Sequence, residues 1–190
     1  MNILTVREIQ QSDIPKITYY WVNSKPDFLV HMGVDLSKIP TPESLSSILA
    51  EQLVQDYDKK GAYCMIWLLN DEPIGHSNVN KINFGKDASM HLHLWDANFR
   101  DRGYGVDFVK MSLPYFFDNL QLENIYSEPH AQNLSPNKTL EKVGFTLVDT
   151  YITMPGWINY DQPVNRWEMS REVFERTIKY GALQKTVIDA

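Results

Sequence analysis

The sequence predicts a mixed α/β fold, an α+β arrangement with one mostly antiparallel sheet of about seven strands flanked by helices. Three observations predict it. Short apolar or alternating runs bounded by turn residues recur along the chain, as strands do. Their order is one strand, two helices, three strands able to pair antiparallel, a helix, a strand, a helix and two strands. That order does not fit a regular alternating parallel sheet. The chain is 190 residues long without repeat, low-complexity tract or linker, so 1–190 reads as one domain.

Ile3 to Ile9 alternates and is rich in branched residues, as a first strand would be. Ser12 is placed to cap a helix whose first turn holds Asp13 and Pro15, and Ile14, Ile17 and Trp21 fall on one face. Asn23 to Pro40 has little periodicity and reads as a long connection beside the substrate. Thr41-Pro42-Glu43 starts a second helix, with Leu45, Ile48, Leu49 and Leu53 at helical spacing and Gly61 as its end. Strands follow over Ala62–Leu69, Ile74–Phe84 and Ser89–Trp95, separated by turns at Asn70–Pro73 and Gly85–Asp87. A long helix is expected from Gly103 to about Leu120, kinked or shortened at Pro114. Glu123–Pro129 is a strand, Pro136–Val143 a short helix, and Phe145–Thr153 and Val164–Ser170 two further strands. A last helix begins near Arg171, with Val173, Phe174 and Ile178 on one side.

Composition excludes some functions. Hydrophobic residues make up 43% and charged ones 22%, enough for a core without disulfides or metals. A net charge of −6 argues against a nucleic-acid partner, which needs a basic face. The lone cysteine, Cys64, lies in an apolar run and reads as a buried thiol in a reducing compartment. The N-terminus lacks a signal pattern and no stretch approaches membrane-helix length, so the expectation is a soluble, cytoplasmic protein without a membrane partner. No histidine and acid set has metal-ligand spacing, so no metal is expected.

The most informative segment is LHLWDANFRDRGYGV, Leu92 to Val106. A strand ends, a short loop follows, and glycines open a long helix. The first amides of a helix lack intrahelical acceptors, and with the helix dipole they form an anion site. The amides of Arg102, Gly103, Tyr104, Gly105 and Val106 are therefore candidates to hold a pyrophosphate, with Arg100 and Arg102 adding charge. Phe108 stands where a dinucleotide fingerprint wants a small residue, and the Gly-Lys-Ser/Thr of a phosphate-loop NTPase is absent.

Arg100, Gly103 and Gly105 match the Arg/Gln-x-x-Gly-x-Gly/Ala signature of the GNAT superfamily. Downstream, NLSPNKTLEKVGF (Asn133 to Phe145) resembles that family's second motif and ends Glu141-Lys142-Val143-Gly144-Phe145. The resemblance spans roughly Val6 to Ser170. It implies an N-acetyltransferase that moves an acetyl or other acyl group from acetyl-CoA to a primary amine of a small molecule or peptide. It also implies a sheet splayed between the fourth and fifth strands, with the pantetheine arm paired to the strand edge at Leu94, Trp95 and Asp96. Asn133 and Asn137 follow as coenzyme contacts, though Pro136 replaces a frequent serine. A homodimer is expected as well.

Amine acylation needs a base for the ammonium proton and no covalent enzyme intermediate. Two candidate bases emerge. Glu128 sits five positions before Asn133, where members that acetylate protein N-termini often carry a glutamate; its alternative is a structural ion pair. His91, nine positions before Arg100, resembles a histidine of siderophore-biosynthesis acyltransferases, and Glu128-Pro129-His130 resembles their later-strand pattern. In a strand His91, His93 and Trp95 share one face, and Leu92 and Leu94 the other. An imidazole in a solvated cleft is tunable to neutral pH. The tyrosine common four residues before Gly-Phe is here Leu140, so the thiolate's acid must come from Tyr126, His130, Tyr151 or a water. His76 reads as structural or as a surface residue rather than a catalytic one. Trp21, Tyr19, Tyr20, His31 and Met32, and Met154, Trp157 and Tyr160, are candidates for the acceptor cleft by family position. The runner-up reading is an inactive coenzyme-binding sensor or assembly protein.

Overall fold

In the computed structural model, which describes residues 2–180, a seven-stranded sheet runs in the order β1-β2-β3-β4-β5-β7-β6. The strands are β1 (Leu4–Glu8), β2 (Ala62–Leu69), β3 (Glu72–Asn83), β4 (Asp87–Leu94), β5 (Asn124–Ser127), β6 (Thr146–Thr153) and β7 (Gln162–Ser170). Every neighbouring pair is antiparallel except β4 and β5. That parallel pair requires a crossover, supplied by α4 (Tyr104–Asn119).

β2 reads AYCMIWLL because both of its faces are covered. Met65 and Trp67 point into the main core under α4, where Trp67 stacks on Phe108 with ring centroids 5.1 Å apart. Cys64, Ile66 and Leu68 face the other way, with Ile17 of α1 (Ile14–Asn23) and Leu49 of α3 (Pro42–Leu53). β2 and β3 join through Asn70 and Asp71, both at positive φ (50° and 67°), as a two-residue hairpin requires. At Gly75 a side chain has no room: a Cβ there would lie 2.4 Å from the His93 carbonyl oxygen.

Several sequence expectations change. Ser12 caps nothing; Asp13 is buried, pairs with Arg7 at 2.6 Å and accepts from the Gln10 N–H at 2.8 Å. The connection after Asn23 contains α2 (Pro26–His31) and a 3-10 turn at Leu36–Lys38, both too short to give a periodic signal. α3 ends at Leu53, before a 3-10 turn at Tyr57–Lys59, rather than at Gly61. α4 continues past Pro114 to Asn119, anchored by buried Phe108, Leu113, Phe116 and Phe117. α5 (Leu134–Val143) ends on Gly144 at φ 111°. The last helix is one turn, α6 (Arg171–Phe174), widening into a π turn (Glu175–Lys179), and Phe174 stacks on Phe117 at 4.5 Å.

Candidate active site

β4 and β5 pair only over Asp87–Ser89 and Asn124–Tyr126. Beyond that they part, with Ser127 Oγ still donating to the Met90 carbonyl at 2.9 Å. β4 continues to Leu94 bonded to β3 alone. The sheet therefore opens a wedge between its fourth and fifth strands, as the family resemblance implies. The Trp95 N–H donates to the Ile74 carbonyl at 3.0 Å, which sets the alternation: odd residues of β4 turn their backbone to β3, even ones to the wedge. The edge on offer is thus Leu92 and Leu94, not the run Leu94, Trp95, Asp96. Trp95's indole N–H is also committed, to His76 Nδ1 at 2.7 Å, and the Asp96 carboxylate accepts from the Asn98 N–H at 2.8 Å.

At the mouth of the wedge the chain turns into α4. Gly103 sits at φ 83°, open to glycine at little cost. Among the described residues, no N–H from Asp101 to Gly105 has an acceptor; Val106 N–H turns back to the Gly103 carbonyl at 3.1 Å. A Cβ on Gly103 would meet nothing within 4 Å, and one on Gly105 only the Thr139 side chain at 3.6 Å. Packing does not demand glycine at 105, and the space above the amides is open. The turn and wedge fit a coenzyme pyrophosphate and its pantetheine arm.

The arginines divide. Arg102 is exposed and makes no hydrogen bond or ion pair among the described residues, which leaves it available to phosphate. Arg100 instead donates to the Leu94 carbonyl at 3.2 Å and lies over the Phe28 ring at 4.1 Å, so it braces the strand end. Asn133 begins α5 on the wall of the wedge. Asn137 is a correction. It is buried, its Nδ2 donates to the carbonyls of Asn133 (2.7 Å) and His130 (3.1 Å), and its Oδ1 accepts from Trp167 Nε1 (2.8 Å) and Asn165 Nδ2 (2.9 Å). An amide with all its partners inside the protein has none to give a ligand.

The inner end of the wedge is a small cavity of about 90 Å³ lined by Met90, His91, Ser127, Glu128, His130 and Asn133. On the other face of the sheet lies a chamber of about 550 Å³, beneath α1 and α3. Its floor is the polar row His76, Asn78, Asn80, His91 and His93. The loop between β6 and β7 closes one side, held by Lys38 and Lys81, which donate to the carbonyls of Asn159 (2.6 Å) and Pro155 (2.7 Å). His91 belongs to both walls.

His91 is only partly exposed, and burial pushes its pKa down to about 4, with Lys81 nearby adding to the effect and Glu128 opposing it. The solvated, near-neutral histidine expected from sequence is instead a neutral imidazole throughout the physiological range. Its Nε2 lies 3.2 Å from Asn80 Oδ1. An amide oxygen only accepts, so Nε2 donates and Nδ1 keeps its lone pair. Burial lowers His76 to about 3 and carries His93 well below its ordinary value. His76 is structural, as expected, and His93 is packed 3.3 Å from the Tyr20 hydroxyl.

Glu128 Oε1 receives both Arg166 Nη1 and the Tyr151 hydroxyl at 2.5 Å. The ion pair weighed from sequence is present. Tyr126 lies under Arg166, whose guanidinium is 3.9 Å from the ring centre. Of the proposed acids only His130 reaches the small cavity, and its Nδ1 accepts from the Gln132 N–H at 3.1 Å. Leu140 is fully buried. Of the expected acceptor-cleft residues, Trp21, Met32 and Trp157 line the chamber; Tyr20 is buried behind it, and Tyr19 and His31 turn outward. Cys64 is buried and its thiol pushed up by burial. No cluster of three metal-ligating side chains occurs among the described residues, and no described helix is long and apolar enough to cross a membrane.

A splayed mixed sheet with a glycine turn at its wedge defines an acyl-CoA transferase architecture. The sequence model of the GNAT acetyltransferase domain matches residues 4–146, and the chain belongs to that family. It is an acetyl-CoA-dependent N-acetyltransferase by class. An aminoglycoside N(6')-acetyltransferase type 1 of Serratia marcescens is 24% identical, covering 94% of this chain and 88% of that protein. Among solved structures, a Vibrio cholerae spermidine N-acetyltransferase with coenzyme A and spermine superposes with a TM-score of 0.73 at 17% identity, covering 90% of this chain and 97% of that one. A ribosomal L7/L12 α-N-protein acetyltransferase with coenzyme A gives 0.71 at 16% identity, covering 90% and 95%.

Proposed function

We propose that this chain acetylates a primary amine of a small molecule or peptide held in the large chamber, with acetyl-CoA in the wedge and His91 as the base between them. The observation that carries this reading is that His91 is a wall of both cavities. Acetyl-CoA supplies the activated acyl group: the new N–C bond forms as the thioester C–S bond breaks, and the thiol leaves. The amides of Gly103, Tyr104 and Gly105, with Arg102, hold the pyrophosphate at the positive end of α4. Leu92 and Leu94 offer backbone groups to the pantetheine arm, and Asn133 lines its path. Asn80 orients His91 so that Nδ1 takes the amine's proton. Glu128, charged and braced by Arg166 and Tyr151, stabilises the imidazolium that results.

The named relatives act on amines: an aminoglycoside, a polyamine and a protein N-terminus. Their shared chemistry supports transfer to an amine and does not favour a silent coenzyme sensor. The family resemblance adds a homodimer, which the mass in solution by light scattering checks. The test of function is thiol release from acetyl-CoA across an amine panel. Amine-dependent release supports the reading; tight coenzyme binding with no release on any amine overturns it.

A further inference from the structure

The chamber's charges discriminate among amines. Among the described residues, only three side chains that carry charge at neutral pH reach its wall: Glu8, Lys60 and Lys81. The one carboxylate is held by the protein: Glu8 Oε1 accepts from the hydroxyls of Tyr57 and Tyr63, both at 2.8 Å, and its charge acts on Lys60, raising that pKa against the lowering by burial. Neither lysine has a carboxylate within ion-pair distance among the described residues; Lys60 donates to the Gln52 carbonyl at 2.5 Å and Lys81 to that of Pro155 at 2.7 Å. His76 and His91 add no charge at neutral pH, since burial holds them neutral. Much of the remaining wall is apolar, with Ile39, Leu49 and Ile158 among it.

A polycation entering this space strips water from several ammonium groups and meets two ammonium groups of the protein and one engaged carboxylate. Buried charges without counter-charges are strongly disfavoured. An apolar body suits the walls, and an anion suits the lysines. The register sets the direction. Ala62 pairs with Asn80 and Asn78 with His91, so Lys60 and Lys81 lie off one end of the floor. Lys81 follows Asn80 where the pairing of β3 with β4 breaks, at a φ of 48°, and its side chain reaches the chamber wall.

We propose that the acceptor is an apolar primary amine carrying an anionic group at the end away from its nitrogen, and not a polycation such as a polyamine or aminoglycoside. This rests on the acetyl-transfer reading above. The reaction is unchanged: the nitrogen gains the acetyl group and loses a proton, and coenzyme A leaves as the thiol.

The experiment measures thiol release from acetyl-CoA by the full chain with four acceptors: phenylbutylamine, its para-carboxylate, spermidine and kanamycin. The expected kcat/KM is highest for the carboxylate, about tenfold or more above both polycations. In the double variant Lys60→Glu with Lys81→Glu, the ratio of carboxylate to plain phenylbutylamine falls about tenfold or more. Calorimetric binding of acetyl-CoA to the variant establishes that it is folded. Preference for spermidine or kanamycin, equal use of the two phenylbutylamines, or an unchanged ratio in the variant overturns this inference alone. Acetyl-CoA binding with no turnover on any of the four overturns the acetyl-transfer reading with it.

Discussion

The two sides of β4 are built by different means. The wedge side is backbone: a helix start with unpaired N–H groups, a glycine at φ 83° and a strand edge left by partial pairing. The chamber side is side chains, drawn from α1, α3, β2, β3, β4 and the β6–β7 loop. A backbone site depends on few residue identities, and those few are small. A side-chain site depends on many identities scattered along the chain. On the proposed function, the coenzyme half is therefore fixed by a few small residues, and the acceptor half is where specificity would reside.

Substitutions can separate the halves. The largest expected effect is at their junction. His91→Ala should lower kcat by about a hundredfold to ten-thousandfold, the usual range for a lost general base, while acetyl-CoA affinity holds. Glu128→Gln should cost less, because that carboxylate is already ion-paired; the opposite ranking in steady-state kinetics would make Glu128 the base. Gly105→Val should weaken acetyl-CoA binding about a hundredfold or more by blocking two charge-assisted contacts of about 1.5 kcal/mol each. Its Cβ makes only ordinary contact with Thr139, so the melting temperature should barely move. Gly103→Val is a poorer probe, since its positive φ adds backbone strain.

Asn137→Ala sharpens the contrast in another way. It strands Trp167 Nε1, Asn165 and two carbonyls, and should cost roughly 3 kcal/mol of stability in urea unfolding. Direct loss of coenzyme affinity in the folded variant would restore Asn137 as a ligand contact. On the chamber side, Trp157 is 56% exposed yet lines the cavity, so Trp157→Ala should raise the acceptor KM about fivefold without touching acetyl-CoA binding. The smallest effect is on pH dependence. His76, His91 and His93 have folded values below 6.5, so the unfolded chain takes up protons first on acidification. Their contribution to stability is fully present above about pH 6.5 and is lost as pH falls toward 4 and below. Melting temperatures across that range should decline, and His93→Gln should flatten the decline.

The same contrast explains what the sequence made legible. β2 was readable residue for residue because an unbroken apolar run between turn residues admits little else. The glycine turn into α4 was readable because Arg100, Gly103 and Gly105 fall within six residues. Residue roles were less so. Arg100 matches the motif yet braces Leu94, and Asn137 matches it yet serves Trp167; neither direction is encoded in spacing. α2 escaped notice because six residues show no period. The chamber left a faint sign. His76, Asn78 and Asn80 place polar groups at every second position of β3, on the face that a simple two-layer packing would fill with apolar residues. Lys60 and Lys81 gave no sign at all, because their meaning depends on which carboxylates are missing around them.

Amide spectra of the isotope-labelled chain, titrated with acetyl-CoA, address the central claim most directly. The account predicts that the largest shifts fall on the N–H groups of residues 103–105 and of Leu92 and Leu94, with a smaller change at the His91 ring. Shifts concentrated on the α1–α3 face, with residues 103–105 unmoved, would contradict it.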